Sequence, residues 1–248
     1  MVKKQLPELS LEQPLLKYYP NMPLLLILLC FSLAGATFTI SPQILVLKVN
    51  SGERVGWTEL THTGKAPVAV ELSVHERILD LDGNLIGDSL PKSNDFTVYP
   101  SQILLYPGNK VRSQVVLKGK ERANTDKAYI LYAREVPFDF PKEGAEEKLS
   151  IGISITINYQ TIIALETNKP GSLKFVSSKA LNDGKIELIV ENRGSGRVPT
   201  DYLYIMAGNR KITEFTGKSS SIMPGQKRRF VFEHDKPLTE REFRYDID

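Results

Sequence analysis

The sequence predicts an all-β protein built from two β-sandwiches in tandem. Three observations support this. Nearly every segment after residue 36 is rich in Val, Ile, Thr and aromatic residues, which favour strands. Short clusters of Gly, Asn, Asp and Pro separate these segments, as turns do. No segment shows the apolar spacing of a long amphipathic helix.

The first half of the chain contains six strand-like segments. Their lengths and their spacing by turns are typical of an antiparallel sandwich of the immunoglobulin type. The segments are FTISPQILVLKV (38–49), RVGWTELTHT (54–63), PVAVELSVHERIL (67–79), DFTVYPSQILLYP (95–107), KVRSQVVLKG (110–119) and AYILYAREVPF (128–138).

The next segment, Leu149–Tyr159, alternates strictly and is called here the alternating segment. Its odd positions are apolar and its even positions are small or polar, so it predicts a strand with one apolar face. At about 3.3 Å per residue it would span about 36 Å, roughly twice a common strand. Three interpretations remain open at this point: a core strand, a fibre-forming segment, or a strand lent to a partner.

A second group of shorter strands follows a turn-rich stretch, LETNKPGSL (165–173). We therefore predict an N-terminal domain over 37–164 and a C-terminal domain over 165–248. The predicted strands of the second group are LKFVSSKAL (173–181), KIELIVEN (185–192), VPTDYLYIMAG (198–208), KITEFTG (211–217) and KRRFVFEHD (227–235); TEREFRYDID (239–248) is too charged to assign.

The N-terminus has the pattern of a secretory signal peptide. Lysines precede the apolar run PLLLILLCFSLAGA (23–36), which ends in Ala-Gly-Ala, so we expect cleavage after Ala36. About 14 apolar residues are too few for a helix that spans a membrane. The only cysteine, Cys30, lies in this segment. The exported chain would therefore be stabilised by its core without disulfides.

The remaining residues offer no catalytic, metal or cofactor motif. Without residues 1–36 the chain has 29 basic and 27 acidic residues, a balance too even to indicate a nucleic-acid partner. His62, His75 and His234 are isolated in the sequence and have no nucleophile or metal motif beside them. The DLDGN turn (80–84) lacks the closing glutamate of a calcium loop. The basic cluster GQKRRF (225–230) favours a solvated strand face over a docking patch.

Several local motifs, taken in order, resemble the periplasmic chaperones of the chaperone–usher pathway, the PapD-like proteins that assemble pili and fimbriae. Each motif is weak alone, but their order and spacing over nearly the whole chain after residue 36 make the combination fairly specific. The motifs are FTVYPSQILLYPGNKVRSQVVL (96–117), YILYAREVP (129–137), the alternating segment, VENRGSG (190–196) and SIMPGQKRRFVF (221–232).

The resemblance implies two immunoglobulin-like domains in an L-shaped arrangement and a non-enzymatic, periplasmic function that needs no cofactor. In such chaperones the last strand of the first domain is lent to an incomplete pilus subunit (donor-strand complementation), and the subunit passes to an outer-membrane usher. The loop over 137–148 would precede the lent strand, and the exposed strand could also support self-association. The lent side chains would be Leu149, Ile151, Ile153, Ile155 and Ile157.

The sequence departs from this family at the residues that hold the subunit's terminal carboxylate. Ile44 and Thr156 occupy the two positions where the better-known members have basic residues. The anchor is therefore unknown: either it has moved, with Lys48 as a weak candidate, or the chain belongs to a divergent branch that holds the subunit in another way. Gln160 similarly replaces an arginine that commonly forms an ion pair between the domains. The alternative function is a structural or adhesive two-domain sandwich of the cell surface or pilus.

Overall fold

The computed structural model describes most of the chain after residue 36. The predicted signal peptide, the loop over 138–148 and the alternating segment as far as Ile157 lie outside the described residues. The described ranges are 37–86, 90–119, 124–137, 158–216 and 220–247. All of them belong to one compact unit, Thr37–Asp248.

The described residues form strands, joined by turns and one short 3₁₀ turn, Val49–Ser51. The strands are β1 (Phe38–Ser41), β2 (Ile44–Lys48), β3 (Val55–His62), β4 (Val68–Glu76), β5 (Phe96–Tyr99), β6 (Gln102–Leu105), β7 (Lys110–Leu117), β8 (Lys127–Val136), β9 (Asn158–Glu166), β10 (Leu173–Ala180), β11 (Lys185–Asn192), β12 (Leu203–Ala207), β13 (Arg210–Ile212), β14 (Lys227–Glu233) and β15 (Phe243–Ile247).

Strands β1 to β9 make the first sandwich. One sheet has the order β1-β3-β7-β5 and the other β2-β9-β8-β4-β6; every pairing is antiparallel except that of β2 with β9. Alternation fixes which side chains form the core, as in β4, where Val68, Val70, Leu72 and Val74 are buried. The prediction of an all-β sandwich is confirmed for this half.

Two segments predicted as single strands are each divided at a proline. The segment 38–49 forms β1 in one sheet and β2 in the other, with Pro42 between them; 95–107 likewise divides into β5 and β6 at Pro100. Proline has no N–H to donate to a sheet, so the strand leaves its first partner there. Hydroxyl groups bind the carbonyls at both crossings: Thr161 Oγ1 donates to Pro42 O at 3.1 Å, and Ser113 Oγ to Pro100 O at 2.9 Å.

The second sandwich pairs a sheet of order β10-β11-β14 with one of order β13-β12-β15. The two strands predicted over 198–208 and 211–217 are shorter than expected: among the described residues the strands extend over 203–207 and 210–212, and Val198 forms an isolated bridge with Ile222. The charged C-terminal stretch left unassigned supplies β15, which pairs with β12. Phe243 and Tyr245 of this strand pack against the core, and this contact explains its place in the sheet.

Each sandwich has its own hydrophobic core. The last residue of the first core is Leu165, and the first residue of the second is Leu173. The exact domain boundary between 164 and 165 stays a prediction. The two cores, together with the sheet orders, give the two tandem sandwiches that the sequence predicts.

Candidate functional site: the edge of β9 and the domain junction

The N-terminal end of β9 has a strand on only one side among the described residues. Strand β8 pairs with Asn158–Leu165, whereas β2 pairs only with Ile162–Glu166. At the end of this pairing the backbone N–H of Ile162 donates to Gln43 O at 2.9 Å. The strand that precedes Gln43 in the chain, β1, belongs to the opposite sheet and does not pair with Asn158–Thr161. A strand edge of this kind presents backbone groups with which a further strand can pair.

The odd-numbered side chains of β9 face the first core. Ile163 and Leu165 are buried, and the ring of Tyr159 meets Phe38 edge to face with 4.9 Å between the centroids. The even-numbered Asn158 and Gln160 are exposed. Because side chains alternate along a strand, the odd positions of β9 share the face predicted for the apolar side chains of the alternating segment.

The five residues predicted to be lent lie outside the described residues and stay predictions, as does the role of Thr156. They are Leu149, Ile151, Ile153, Ile155 and Ile157. Asn158, the first described residue of β9, follows Ile157 directly in the sequence. The described part of the open edge of β9 therefore starts directly after the predicted lent residues.

The other positions that matter for an anchor lie on the outer face of the same sheet. Ile44 is 56% exposed and pairs with Ile162. Lys48 is exposed at the other end of β2, opposite Glu166, whose carboxylate binds Arg197 at 2.8 Å. Four residues of strand, about 13 Å, separate Lys48 from Ile44. The position of Lys48 thus keeps it away from the open edge of β9.

A buried carboxylate, missed in the sequence, joins the two sandwiches. Asp126, just before β8, accepts hydrogen bonds from the backbone N–H and the hydroxyl of Thr167, both at 2.7 Å. It also accepts one from the backbone N–H of Arg197 at 2.9 Å. Asp126 is only 6% exposed. Three donors on one buried carboxylate fix the end of β9 against the loop before β12.

The interpretation of GQKRRF as a solvated strand face is wrong for Arg228, whereas Arg229 is partly exposed and forms an ion pair. Arg228 is buried, and its guanidinium donates to Ser220 O and Oγ at 3.3 and 3.2 Å. Arg229 binds the carboxylate of Asp82 in the first sandwich and also lies near Glu187. The signal was available in the alternation of β14, because Arg228 shares the buried face of Phe230 and Phe232.

The DLDGN turn is held by its own carboxylate. Asp80 Oδ1 accepts hydrogen bonds from the backbone N–H groups of Asp82 and Asn84 at 2.9 and 2.8 Å. These bonds, led by the one from Asn84, lower the pKa of Asp80. Asp80 therefore shapes the loop whose next acidic residue, Asp82, meets Arg229. Over the part of the chain described, no group of three or more His, Cys, Asp or Glu side chains could hold a metal ion.

Each histidine is bound to nearby groups. His62 Nε2 is 2.8 Å from Ala66 O, and His234 Nδ1 is 2.7 Å from Lys236 O. His75 is buried, with its ring nitrogens 2.9 Å from Ser73 Oγ and 2.6 Å from Leu90 O. These contacts give the three histidines local structural roles.

No helix within the described ranges is long and apolar enough to cross a membrane.

No family model and no curated protein matches this sequence. Solved structures do match. The class 5 fimbriae chaperone CfaA has a TM-score of 0.54 and 14% identity, with 85% of this chain and 98% of that chain covered. A chain from a chaperone–tip adhesin complex of CFA/I fimbriae biogenesis has a TM-score of 0.55 and 16% identity, over 86% of this chain and 99% of that one.

A third match comes from the CsuC–CsuE chaperone–tip adhesion subunit pre-assembly complex of archaic chaperone–usher Csu pili of Acinetobacter baumannii. Its TM-score is 0.50 at 15% identity, with 80% of this chain and 88% of that chain covered. At such identities the likeness concerns the fold. The chain therefore has the two-domain β-sandwich fold of the PapD-like pilus chaperones.

Proposed function

We propose that this protein is a periplasmic chaperone that binds a pilus or fimbrial subunit by donor-strand complementation. The observation that carries the proposal is the edge of β9, which has β8 on one side and no described strand on the other over Asn158–Thr161. Backbone pairing along such an edge supplies affinity, and alternate side chains supply specificity.

The alternation of core-facing and exposed side chains along β9 supports the assignment of the lent side chains. Tyr159 and Ile163 point to the core of the chaperone domain, and the preceding odd positions are all apolar. A subunit that lacks one strand of its sandwich has a groove over its own core. The side chains of Leu149, Ile151, Ile153, Ile155 and Ile157 would fill that groove.

The energetic scale is sufficient for this role. Burial of an Ile or Leu side chain contributes roughly 1.5–3 kcal/mol. Five such side chains would therefore contribute about 10 kcal/mol, comparable with the whole stability of a small domain. Part of this gain is offset by the entropy lost when the lent segment is ordered. The remaining free energy would stabilise the folded subunit, so that binding and folding of the subunit are coupled.

Release would follow when the strand of another subunit replaces the lent one at an outer-membrane usher. This exchange requires only that one strand displace another, so it needs no nucleotide or metal. Without a subunit, the same edge could pair with a second copy of the chain. The apolar N-terminal segment fits export to the periplasm, where such subunits fold.

Co-purification from the periplasm tests the proposal. The tagged chain should recover a fimbrial subunit of its own organism in a one-to-one complex. A photo-crosslinker at Ile151 should label that subunit, whereas one at exposed Glu233 on β14 should not. A subunit that folds and persists equally well when this protein is deleted would contradict the proposal.

A further inference from the structure

The outer face of the β1-β3-β7-β5 sheet presents two large aromatic side chains to solvent. Trp57 of β3 is 54% exposed, and Tyr99 of β5 is 75% exposed. The side chains that flank Trp57 along β3 are buried on the opposite face, so this exposure follows from the alternation of the strand. Aromatic rings of this size usually remove much of their apolar area from water.

Strand pairing aligns the two aromatic side chains. Trp57 pairs with Gln114 of β7, and Gln114 pairs in turn with Tyr99. Directly paired residues share a face of the sheet, so the three side chains form one line, called here the aromatic row. Neighbouring strands are about 4.8 Å apart, which places Trp57 and Tyr99 about 10 Å apart with the Gln114 amide between them.

The aromatic row carries no charge and has a polar centre. Within the described ranges no residue forms a hydrogen bond with the side chain of Gln114. Its amide can therefore both donate to and accept from a ligand. Charges begin in the next row along the strands, where Glu59 binds Arg112 at 3.0 Å and Lys110 at 3.5 Å. These charges are already paired with one another, so the row favours an uncharged ligand.

The face is narrow for a protein partner. On the side away from the ion pairs, one further row is apolar, with Val55 paired to Val116. The uncharged part of the face is thus two rows wide, about 7 Å along the strands. A stable protein interface covers about 800 Å² on each partner. A thin, extended ligand fits this strip better.

A sugar chain has the matching chemistry. A pyranose ring carries C–H groups on its faces and hydroxyl groups around its edge. The slightly positive C–H groups pack against the negative face of an aromatic ring, and the hydroxyl groups exchange hydrogen bonds with an amide. In an extended β-1,4-linked glycan, alternate sugar rings are separated by about the distance between Trp57 and Tyr99, so that the ring between them would lie over Gln114.

We propose that the aromatic row binds an uncharged β-1,4-linked glycan chain, with one sugar ring packed on Trp57 and another on Tyr99. The row lies on the sheet opposite the one that contains β9, so this site is separate from the open edge. The inference therefore does not rest on the proposed function. Chains of glucose and of N-acetylglucosamine share the required chemistry, and the experiment distinguishes them.

The fluorescence of Trp57 reports directly on the site, because the chain has no other tryptophan. Cellohexaose, chitohexaose or both, added to the purified protein, should shift the emission in a saturable way. The hexamer that responds identifies the sugar. Maltohexaose, whose α-linkages curve the chain away from a sheet face, should leave the emission unchanged.

Variants separate ring packing from general apolar contact. Tyr99→Leu keeps an apolar side chain but lacks the ring, so it should raise the Kd for the hexamer about tenfold. Tyr99→Phe should bind as wild type does, because the packing needs only the ring. Trp57→Ala should lose binding in calorimetry. Tyr202→Ala, at an exposed tyrosine of the second sandwich, is the matched control and should bind normally.

Three results would overturn the proposal. The first is no saturable change with either β-linked hexamer, and the second is an equal response to maltohexaose. The third is an unchanged Kd in Tyr99→Leu. An emission shift that depends on protein concentration without any glycan, and that Tyr99→Leu removes, would assign the face to a second copy of the chain instead. The Tm of each variant should match that of wild type, because both rings are exposed.

Discussion

Arg229 in β14 of the second sandwich holds the carboxylate of Asp82 in the first through two side-chain hydrogen bonds. Its Nε lies 2.7 Å from Asp82 Oδ1, and its terminal nitrogen binds Oδ2. The backbone N–H of Arg229 also donates to Leu81 O at 2.8 Å. Together these contacts join the loop after β4 to strand β14 of the second sandwich.

Replacing Asp82 by Asn should lower Tm at neutral pH, and the loss should depend on pH. The hydrogen bond from Arg229 lowers the pKa of Asp82 below its ordinary value of 3.8. The ion pair therefore stabilises the fold above the ordinary pKa of 3.8. This stabilisation is lost as the pH falls through the lower pKa that Asp82 has in the folded protein. Both side chains are about one-third exposed or more, so we expect a change of no more than about 3 °C.

Thermal unfolding of wild type and Asp82→Asn at several pH values measures this effect. The difference in Tm should be constant above about pH 5 and should narrow below about pH 4. A difference that does not change with pH would show that the charge of Asp82 is unimportant.

Replacing Asp126 by Ala should destabilise the protein far more. The change leaves the backbone N–H groups of Thr167 and Arg197 without their buried acceptor. We expect a loss of about 3 kcal/mol in the free energy of unfolding. Urea unfolding measures it, with Asp235→Ala at an exposed aspartate as the control. Equal midpoints for the two variants would contradict the role given to Asp126.

Replacing Gly196 by Ala should also be costly, because this glycine allows two backbone segments to approach closely. A Cβ at residue 196 would lie 1.7 Å from the carbonyl oxygen of Lys169. The backbone would have to separate, at a cost of about 3 kcal/mol. The matched control is Gly64→Ala, whose Cβ would lie 3.2 Å from its nearest neighbour, the Cε1 atom of His62, so a shift of a few tenths of an ångström would suffice. Similar midpoints in urea for the two alanine variants would show that the 169–171 segment moves aside freely.

Replacing Ile163 by Ala should test the assignment of the odd positions of β9 to the core. Ile163 is fully buried, so the cavity left behind should cost about 3–4 kcal/mol. Gln160→Ala, three residues away on the exposed face, should change the free energy of unfolding by less than about 0.5 kcal/mol. If Gln160→Ala were the more damaging change, the assignment of the faces would be reversed.

Much of the fold follows from the sequence because alternation and turn residues act locally. Val68 to Val74 and the turns after Asn50 and Asp82 illustrate this. The sheet to which each strand belongs was harder to predict from the sequence. Pro42 and Pro100 interrupt continuous apolar patterns, and the sequence does not state that the chain changes sheets there. The β15 strand was missed because its pairing with β12 and the packing of Phe243 outweigh its charged composition.

The domain junction depends on partners far apart in the sequence. Asp126 and Arg197 are 71 residues apart, and Asp82 and Arg229 are 147 apart. No local pattern predicts such pairs. Arg228 is different: its burial was not predicted, although its alternation with Phe230 in β14 indicates the same buried face. The lent side chains, in contrast, were predicted from the sequence and lie outside the residues that the structure describes.

The most direct test of the central claim is subunit binding by the double variant Ile151→Asp/Ile153→Asp. Two charges on the lent face should abolish binding while the first domain keeps the wild-type Tm. Ser150→Asp/Ser154→Asp, on the opposite face of the alternating segment, is the matched control and should retain binding. A double variant that still binds the subunit, or a first domain that unfolds because those isoleucines belong to its core, would contradict the account.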